Sequence, residues 1–598
     1  DIAPEPVAVE GEASGEWQTV ERAALNDGAA IAGHALVIDP GSTTVVEPGW
    51  EGQLAEEGSL VLKRVEARPT RRAEGTTVDP VRLEIFNNLF MVIAEEMGLV
   101  LQSTATSVNI KERLDFSCAI FDAEGALIAN APHIPVHLGS MGDSIRRVIE
   151  ARGQGADGKP ADGRGMKRGD AYCLNDPYRG GTHLPDVTVI VPVFYSDESE
   201  APDAFVAARG HHADIGGIAP GSMPPESRTI DEEGVLIDNF LLADEGRFRE
   251  AGVRDVLASG EYPARAPDRN ISDLRAQLAA CTRGAELLTG SAAEHGADVF
   301  AAYMGHVLAN AEESVRGLLD RLEDGSFAYE MDSGAVVKVA IRIDRENRSA
   351  VFDFTGTSDQ RDDNFNAPRS ITRAAALYVL RTLIDDPIPM NDGCLRPVEL
   401  VVPDGSMLNP VPPAAVVAGN VETSQVVTDC LFAATGRLAP SQGTMNNFTF
   451  GNNAGYQNYE TICGGAGAGP DYDGTDAIHT HMTNTLATDP EILEWRFPVV
   501  LESFSIRHGS GGAGKHRGGH GIIRRVRFEE AMTAAVVSGH RRVPPFGVAG
   551  GEPGKCGRNY VERADNTVTE LSGTDGTEML PGDVFVIETP GGGGYGKA

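Results

Sequence analysis

Two neighbouring stretches decide how this sequence folds: "AYCLNDPYRGGTHLPDVTVIVPVF", residues 171–194, and "AFVAARGHHADIGG", residues 204–217. Both combine short apolar runs with polar loops flanked by glycine, a pattern that indicates strand, loop, strand, loop. If the two long apolar strands are neighbours in one sheet, their polar loops lie at the same edge of that sheet. The polar residues that this arrangement would bring together are His183, Asp186, His211, His212 and Asp214.

Imidazole and carboxylate side chains together form a ligand set for Zn, Mn or Fe, and a catalytic site leaves one coordination position for water. The spacing is equally compatible with buried histidines that only form hydrogen bonds. Asp115 can join the site, because it begins an apolar strand where a buried carboxylate needs a partner; the alternative is a surface cap. His133 and His137 lie in "APHIPVHLGSM", residues 131–141, which we expect to be a loop broken by its prolines.

The composition is that of an acidic globular protein. Of the 598 residues 41% are hydrophobic and 23% charged, and the formal net charge is −36, with acidic residues scattered along the chain. This balance argues against nucleic acid as a partner, since a phosphate backbone needs a basic face. No apolar run approaches the roughly 18–20 residues that span a bilayer, so we expect no membrane association. Seven cysteines without a CxxC pair indicate reduced thiols and a cytoplasmic protein.

The order of patterns along the chain predicts an α+β fold, with a large mixed α/β domain and a small N-terminal β module. Short Val/Ile/Thr runs separated by Pro-Gly turns occupy residues 1–66, and a polar linker, residues 67–78, follows. The large domain, residues 79–598, opens with Asp79 as a helix N-cap and Pro80 at the first helical position.

Further along, a helical region is predicted from Ser272, as its N-cap, to about residue 322. The strand-rich second half carries three glycine-rich stretches: "CGGAGAGP" (463–470), "GSGGAGKHRGGHG" (509–521) and "TPGGGGYG" (589–596). None of them has the GxxxxGK[ST] pattern of a phosphate-binding loop or the strand–loop–helix setting that such a loop needs. We therefore predict no cofactor-binding site in this chain and interpret the glycines as close backbone packing. A loop that binds an anionic or amide substrate is the alternative.

Several motifs together resemble the hydantoinase B / 5-oxoprolinase family over about residues 79–596. They are "NDPYRGGTHLPDVTVI" (175–190), "GHHADIGG" (210–217), "DFTGTSDQ" (353–360), "GCLRPVELVVPDGSMLNP" (393–410), "AAVVAGNVETSQVVTD" (414–429) and "SGGAGKHRGGHGIIRR" (510–525). The N-terminal piece "ERAALNDGAAIAGHALVIDPGSTTVVEPGWEG", residues 21–52, is similar to the closing segment of a hydantoinase A-type part. The expected arrangement is the C-terminal half of an A–B fusion, or a separate subunit that carries the A-type tail.

The resemblance implies an ATP-dependent enzyme in which the A-type part holds ATP and Mg and phosphorylates a carbonyl oxygen, while the B-type part receives the activated intermediate. It also implies a divalent metal in the B-type part, for which we prefer Zn or Mn. The family's ligands carry over onto a His-x-x-Asp unit, His183 and Asp186, and a later histidine. The doublet His211–His212 leaves that later ligand open. Asp115 matches an acidic position that serves as a fourth ligand or as the base, so Asp115 and Asp186 are the predicted catalytic residues.

The A-type tail favours 5-oxo-L-proline as the substrate, with ring opening to L-glutamate. A hydantoinase, an acetone- or acetophenone-type carboxylase subunit, and a non-catalytic channelling partner of the A-type ATPase stay open as alternatives. We expect an A-type subunit or fused half as the partner, in an (AB)2 or larger oligomer. The residues predicted to contact substrate are His137, Arg179, Asp214, Arg396 and Arg517. Asp214 is also a candidate to orient an imidazole, and each arginine can equally form a structural salt bridge.

Overall fold

The computed structural model describes residues 17–26, 28–55, 57–66, 76–155, 159–452 and 455–598. Contacts between residues divide the chain into two units, residues 1–74 and residues 75–598. Residues 1–16 and 67–75, which cover the start of the predicted β module and most of the predicted linker, lie outside the described residues.

The first unit is β structure, as its Val/Ile/Thr runs predict. Its strands are β1 (Gln18–Glu21), β2 (Ala30–Ala32), β3 (Ala35–Asp39), β4 (Ser42–Val46), β5 (Trp50–Leu54) and β6 (Leu60–Arg64). They form two three-stranded sheets, in the orders β1-β3-β4 and β2-β5-β6. Four small or branched apolar side chains form the buried core: Ile31, Ala35, Val37 and Val46.

The first half of the second unit mixes helices with one group of strands. In chain order its elements are α1 (Pro80–Thr104), α2 (Val108–Lys111), β7 (Phe116–Asp122), β8 (Leu127–Asn130), α3 (Pro135–Arg152), β9 (Ala171–Leu174), β10 (Asp186–Val193), β11 (Ala204–His211), β12 (Phe240–Asp244), β13 (Arg247–Phe248), α4 (Glu250–Leu257), α5 (Pro267–His295) and α6 (Ala297–Leu319).

The second half is richer in strands, as predicted. Its elements are β14 (Gly325–Glu330), β15 (Val336–Asp344), β16 (Ser349–Asp353), α7 (Arg369–Thr382), β17 (Val398–Val401), a π-helical turn (Gly419–Thr423) that continues into α8 (Ser424–Thr435), β18 (Asn447–Gly451), β19 (Gln457–Glu460), α9 (Pro490–Arg496), β20 (Val499–Arg507), β21 (Gly521–Phe528), β22 (Met532–Val537), β23 (Arg558–Glu562), β24 (Val568–Leu571), β25 (Thr574–Met579) and β26 (Val584–Glu588). They form sheets ordered β14-β15-β16-β17, β19-β18-β22-β25 and β20-β21-β26-β23-β24.

Helix starts show which local signals the sequence made clear. The Asp79 side chain accepts a hydrogen bond from the Arg82 amide at 2.9 Å, so the predicted N-cap is confirmed. The prediction of Ser272 as an N-cap is wrong, because α5 begins five residues earlier at Pro267. A proline fits the first helical turn, where its missing N–H is not needed. The same effect at Pro135 starts α3, so His137 lies on a helix and not in the proline-broken loop that we expected.

The two stretches that decide the fold form the centre of a seven-stranded sheet, ordered β13-β12-β9-β10-β11-β7-β8. β10 and β11 are antiparallel neighbours, which meets the condition on which the shared sheet edge depended, and every residue of both strands is buried. Helix α5 packs against β10 and β11, and α3 also contacts both strands. Arg209 on β11 donates to Ser140 and Ser144 of α3, whereas a Cβ added at the next residue, Gly210, would meet Gln277 of α5. The two helices therefore cover opposite faces of the sheet.

The three glycine-rich stretches pack against one another through their backbones, which confirms the interpretation of close packing. A Cβ placed on Gly465 would lie 2.0 Å from the carbonyl oxygen of Gly519, and one on Gly592 would lie 1.9 Å from that of Ala466. Any side chain at these positions would overlap the facing backbone.

The state of the cysteines and the length and polarity of the helices are typical of a globular protein. All seven cysteines are free, and five of them, including Cys118, Cys281 and Cys430, are buried. Across the part of the chain that the structure describes, the helices are too short or too polar to traverse a bilayer.

Candidate metal centre

The register of β10 and β11 builds the site. Asp186 lies directly opposite His211 across the strand pair. Because side chains alternate between the two faces of a strand, Asp186 and His211 point towards the α3 face, together with Arg209. His183 reaches the same place from the loop that leads into β10. The group formed by His183, Asp186 and His211 is called the His–Asp group below, and all three side chains are buried.

Asp186 is the centre of this group. One carboxylate oxygen, Oδ1, lies 3.0 Å from Nε2 of His183 and 3.2 Å from Nδ1 of His211. The other, Oδ2, lies 3.1 Å from Nε2 of His137 on α3. It also accepts hydrogen bonds from the Thr182 hydroxyl at 3.0 Å and from the Asn420 amide at 3.2 Å.

The donor set fits a divalent transition metal. One ligand atom from each of the three residues lies within 4.8 Å of the others. The separations of 3.0 and 3.2 Å around Asp186 approach the roughly 3.3 Å edge of a tetrahedron with ligand bonds of about 2.05 Å. Within the described residues, no hydrogen-bond partner meets either ring nitrogen of His183 or Nε2 of His211. Buried nitrogens are normally paired, so the lone pair of the His183 imidazole is available to a ligand.

His212 lies outside the His–Asp group, on the other face of the sheet. Its Nε2 pairs with Oε1 of Gln277 at 3.1 Å, and its Nδ1 pairs with Nδ2 of Asn270 at 3.0 Å; both partners are on α5. Both ring nitrogens are therefore used. Of the doublet, His211 faces the other two proposed ligands, and His212 fastens β11 to α5.

Asp115 and His137 form the border of the group. Nε2 of His137 is 4.0 Å from Oδ1 of Asp115, so this imidazole lies between the carboxylates of Asp115 and Asp186. Nη1 of the buried Arg113 is 4.0 Å from the other oxygen of Asp115. His137 was predicted as a substrate contact, and the structure places it beside the predicted ligands. His133 is not part of this border, because its Nδ1 accepts a hydrogen bond from the Cys118 amide.

Opposing effects set the protonation of the buried groups. Burial raises the pKa of the Asp186 carboxyl, but the adjacent His137 and His183 rings outweigh it, and the net pKa lies well below the usual range. Burial lowers the pKa of His211 despite the contact with Asp186. Burial also lowers the pKa of Arg209 to about 10, against the effect of Asp186. Arg209 therefore remains a cation at neutral pH and partly balances the carboxylate.

Sequence analysis missed three groups that contact the His–Asp group: the Thr182 hydroxyl described above, Asn420 and Tyr459. Asn420 lies in the π-helical turn, a feature often found at functional sites, and its motif entered the analysis only as part of the family resemblance. Tyr459 stacks on His211 with ring centroids 4.4 Å apart. Arg113 donates to the Tyr459 carbonyl at 2.6 Å and so holds that strand against the site.

The remaining predicted substrate contacts have other partners. Arg179 pairs with Asp238 at 2.7 Å, Arg396 with Glu312 at 3.5 Å, and Arg517 with Asp476 at 2.8 Å. The Asp214 carboxylate is buried and pairs with Arg265 at 2.9 Å, and it does not touch an imidazole among the contacts described. The salt-bridge alternative thus accounts for the arginines, and their role towards substrate stays a prediction.

Comparison with known proteins agrees with this architecture. The sequence model of the family described as hydantoinase B/oxoprolinase matches residues 79–598. The chain belongs to this family. 5-Oxoprolinase 1 of Arabidopsis thaliana is 43% identical to this hydantoinase B/oxoprolinase chain, over 96% of the chain and 46% of the plant protein. The chain spans about half the length of the curated relatives it matches most strongly.

Two solved structures share the fold of this hydantoinase B/oxoprolinase chain. The ATP-dependent caprolactamase from Pseudomonas jessenii superposes with a TM-score of 0.75 at 25% identity, over 87% of this chain and 92% of that one. A nucleotide-free acetone carboxylase gives a TM-score of 0.77 at 18% identity, over 87% of this chain and 76% of the other. The predicted α+β fold with a small N-terminal β module is confirmed.

Proposed function

We propose that this chain supplies the hydrolytic half of an ATP-dependent lactamase that opens 5-oxo-L-proline to L-glutamate. The observation that carries the proposal is the buried His–Asp group with its unpaired ring nitrogens, bordered by Asp115 and His137. A relative 43% identical to the chain is named 5-oxoprolinase 1, which supports this choice of substrate. The overall reaction consumes the lactam, two waters and one ATP, and releases glutamate, ADP and phosphate.

The chemistry explains why two parts are needed. An amide carbonyl is a poor electrophile, and transfer of a phosphoryl group from ATP to its oxygen creates a good leaving group. We assign this first step, with ATP and Mg, to an A-type half, because the glycine-rich stretches of this chain serve backbone packing. In the second step, which this chain would carry out, water adds to the activated ring carbon and the ring C–N bond breaks, and a second water then releases phosphate from the resulting acyl phosphate.

The candidate metal centre has the groups for the second step. His183, Asp186 and His211 would hold a divalent ion, with Zn or Mn preferred. Such an ion polarises a carbonyl and favours the ionisation of water. Asp115 and His137 lie 4.0 Å apart and are both buried. They would accept the proton of the attacking water and keep it inside the site until it is passed to the ring nitrogen.

We also propose a role for the N-terminal segment and an assembly state for the enzyme. Residues 1–66 would be the closing β segment of an A-type half, and the assembled enzyme would be an (AB)2 or larger oligomer in the cytoplasm. The match to the plant 5-oxoprolinase covers 96% of the chain and therefore extends to residues before the family match at residue 79. Mass photometry of the chain co-expressed with an A-type half tests the oligomer, and a 1:1 particle alone would contradict it.

The proposed reaction is tested by reconstituting the chain with an A-type half, ATP and Mg. Three separate assays offer 5-oxo-L-proline, a hydantoin, or a ketone with bicarbonate. We expect glutamate from the first, and turnover of only the ketone would show a carboxylase instead. His183→Ala is the sharpest variant, because this ring contacts Asp186 but forms no well-aligned hydrogen bond within the described chain. It should lose metal and ring opening together, and full metal occupancy in the variant would rule out the ligand assignment.

A further inference from the structure

A cavity lies apart from the His–Asp group. It has a volume of about 220 Å³, and none of the three proposed metal ligands lines it. The π-helical turn and α8 form one wall through Glu422 and Val426, and Met331 and Phe365 add apolar surface. The cavity is called the Glu422 cavity below, because one oxygen of the Glu422 carboxyl has no hydrogen-bond partner.

Glu422 uses only half of its carboxyl group. Oε1 accepts hydrogen bonds from the Met445 amide at 3.0 Å and from Nδ2 of Asn447 at 2.7 Å. Oε2 is buried and has no hydrogen-bond partner anywhere in the described chain, although the residue is only 1% exposed. A buried polar atom without a partner calls for an explanation such as a missing ligand.

The proton of Glu422 belongs on this unpaired oxygen. Burial raises the pKa of Glu422, and interactions with Thr444, Met445 and Arg541 offset this rise only in part. The resulting pKa is about 8. The carboxyl is therefore mostly protonated at neutral pH. Since Oε1 already accepts two hydrogen bonds, the hydrogen resides on Oε2, which becomes a donor without an acceptor.

Other polar groups around the cavity are already paired. Nδ1 of His540 donates to the Val543 carbonyl, so its Nε2 accepts a hydrogen bond from the Tyr329 hydroxyl. The Asp332 carboxylate accepts from the backbone amides of residues 541–543. The Arg541 guanidinium donates to the Gly539 carbonyl and to two asparagine side chains. Tyr459, on the far side of Asn447, donates to the Asn447 amide oxygen. These five titratable groups leave Glu422 Oε2 free.

Glycine keeps the space in front of Oε2 open. A Cβ added at Gly539 would lie 3.3 Å from Oε2, tighter than an ordinary contact. A Cβ at Gly443 would lie 2.3 Å from Nε2 of His540, so this residue makes room for the His540–Tyr329 pair. The wall thus combines one unpaired, buried donor with apolar surface and no side chain in between.

We propose that the Glu422 cavity binds a small, lactam-sized molecule through a carbonyl or carboxylate oxygen that accepts the hydrogen of Glu422 Oε2, while the rest of the molecule packs against Met331, Phe365 and Val426. An uncharged lactam and a small organic acid share this oxygen chemistry. The inference does not depend on the reaction of the candidate metal centre, because binding can be measured without ATP or added metal.

An occupant of this cavity would be linked to the His–Asp group. Asn447 donates to Glu422 through its nitrogen and accepts from the Tyr459 hydroxyl at 2.9 Å through its oxygen. The ring of Tyr459 stacks on His211. A change at Glu422 therefore reaches His211 through two hydrogen bonds and one ring contact.

The test is a ligand-observed NMR titration of the full chain at pH 7 with two probes, 2-pyrrolidinone and 5-oxo-L-proline. Glu422→Gln keeps a donor at the same position, and its affinity should stay within about threefold of wild type. Glu422→Ala removes the donor and should weaken binding about tenfold or more. Gly539→Ala places a methyl group over Oε2 without touching the bonds of Oε1, and should weaken binding by a similar factor even if the Glu422→Ala variant does not fold.

The pH dependence separates this site from any other. Wild-type affinity should fall above about pH 8, where Glu422 loses its hydrogen, and Glu422→Gln should show no such fall. Binding of 2-pyrrolidinone alone would identify an uncharged ligand, and binding of both probes would admit acids. The proposal is overturned if neither probe binds the wild-type chain, or if Gly539→Ala and Glu422→Gln both bind with the wild-type affinity and pH profile.

Discussion

The adjacent histidines His211 and His212 allow a test in which one residue is the matched control of the other. His211→Ala removes a proposed metal ligand, whereas His212→Ala removes only bonds to α5. Loss of groups that merely support a metal ligand costs about 10–100-fold in metal affinity. Loss of the ligand itself should cost at least as much, so metal content should fall about tenfold or more in the first variant and stay at the wild-type level in the second.

His212→Ala should instead lower stability, and the size of this loss follows from the contacts of the His212 side chain. This side chain is 1% exposed and forms two hydrogen bonds, at 3.1 Å to Gln277 and 3.0 Å to Asn270. Asn270 keeps its bond to the Asp214 carbonyl, but Oε1 of Gln277 is left without its partner. Two lost bonds and one stranded acceptor amount to about 2–4 kcal/mol. Local opening should therefore become roughly 30- to 700-fold more frequent.

Two measurements decide the outcome. Elemental analysis after dialysis against a metal buffer gives the metal content per chain. Hydrogen exchange with mass spectrometry gives the local opening of β11 and α5, which is better suited than global unfolding to a chain of two units. Metal loss in His212→Ala with retention in His211→Ala would refute the assignment of the two faces, and equal metal loss in both would refute the control.

Three further predictions concern other parts of the molecule. Burial raises the folded-state pKa of Glu233 from 4.5 to about 7, so the wild-type carboxyl destabilises the fold as pH rises through that window. Glu233→Gln should therefore flatten the dependence of thermal stability on pH. Melting temperatures of variant and wild type that change in parallel with pH would contradict this. Glu460→Ala should cost about 3–5 kcal/mol in chemical denaturation, since it strands the buried Arg524, now held at 2.9 Å, and a loss below about 1 kcal/mol would speak against a buried pair. The chain alone should hydrolyse no ATP in a phosphate-release assay, and turnover abolished by a mutation within it would disprove that.

The sequence predicted the elements whose signals are local. His183, Asp186 and His211 span only 29 residues of chain, and two apolar runs sufficed to predict their strands, whereas the pairing of those strands entered only as a condition. The choice between His211 and His212 needed the register of β11, because a shift of one residue exchanges the two faces of a strand. Asn420 and Tyr459 reach the site from more than 200 residues away in sequence, through packing that periodicity does not encode.

Helix starts failed for a different reason. Ser272 was the predicted N-cap of α5, but the helix begins at Pro267. The Ser272 hydroxyl donates to the Asp268 carbonyl inside the helix. Asp186 also contributes to the fold and not only to the proposed metal site. Its carboxylate is fully buried and surrounded by three imidazoles and two hydrogen-bond donors. Asp186→Ala should therefore destabilise the fold as well as remove metal, and this makes His183→Ala the better variant for function.

The meeting of the glycine-rich stretches has a consequence for synthesis in the cell. Residues 591–594 fill the space between backbones that were made roughly 75 to 125 residues earlier, at Ala466 and Gly518. A ribosome adds about 5–20 residues per second. For several seconds, therefore, the earlier loops lack the segment that packs between them. Until then the strands on either side have unpaired edges, which favour association with other chains. We therefore expect this region to complete its folding only after translation has passed residue 594, and to depend on chaperones during that interval.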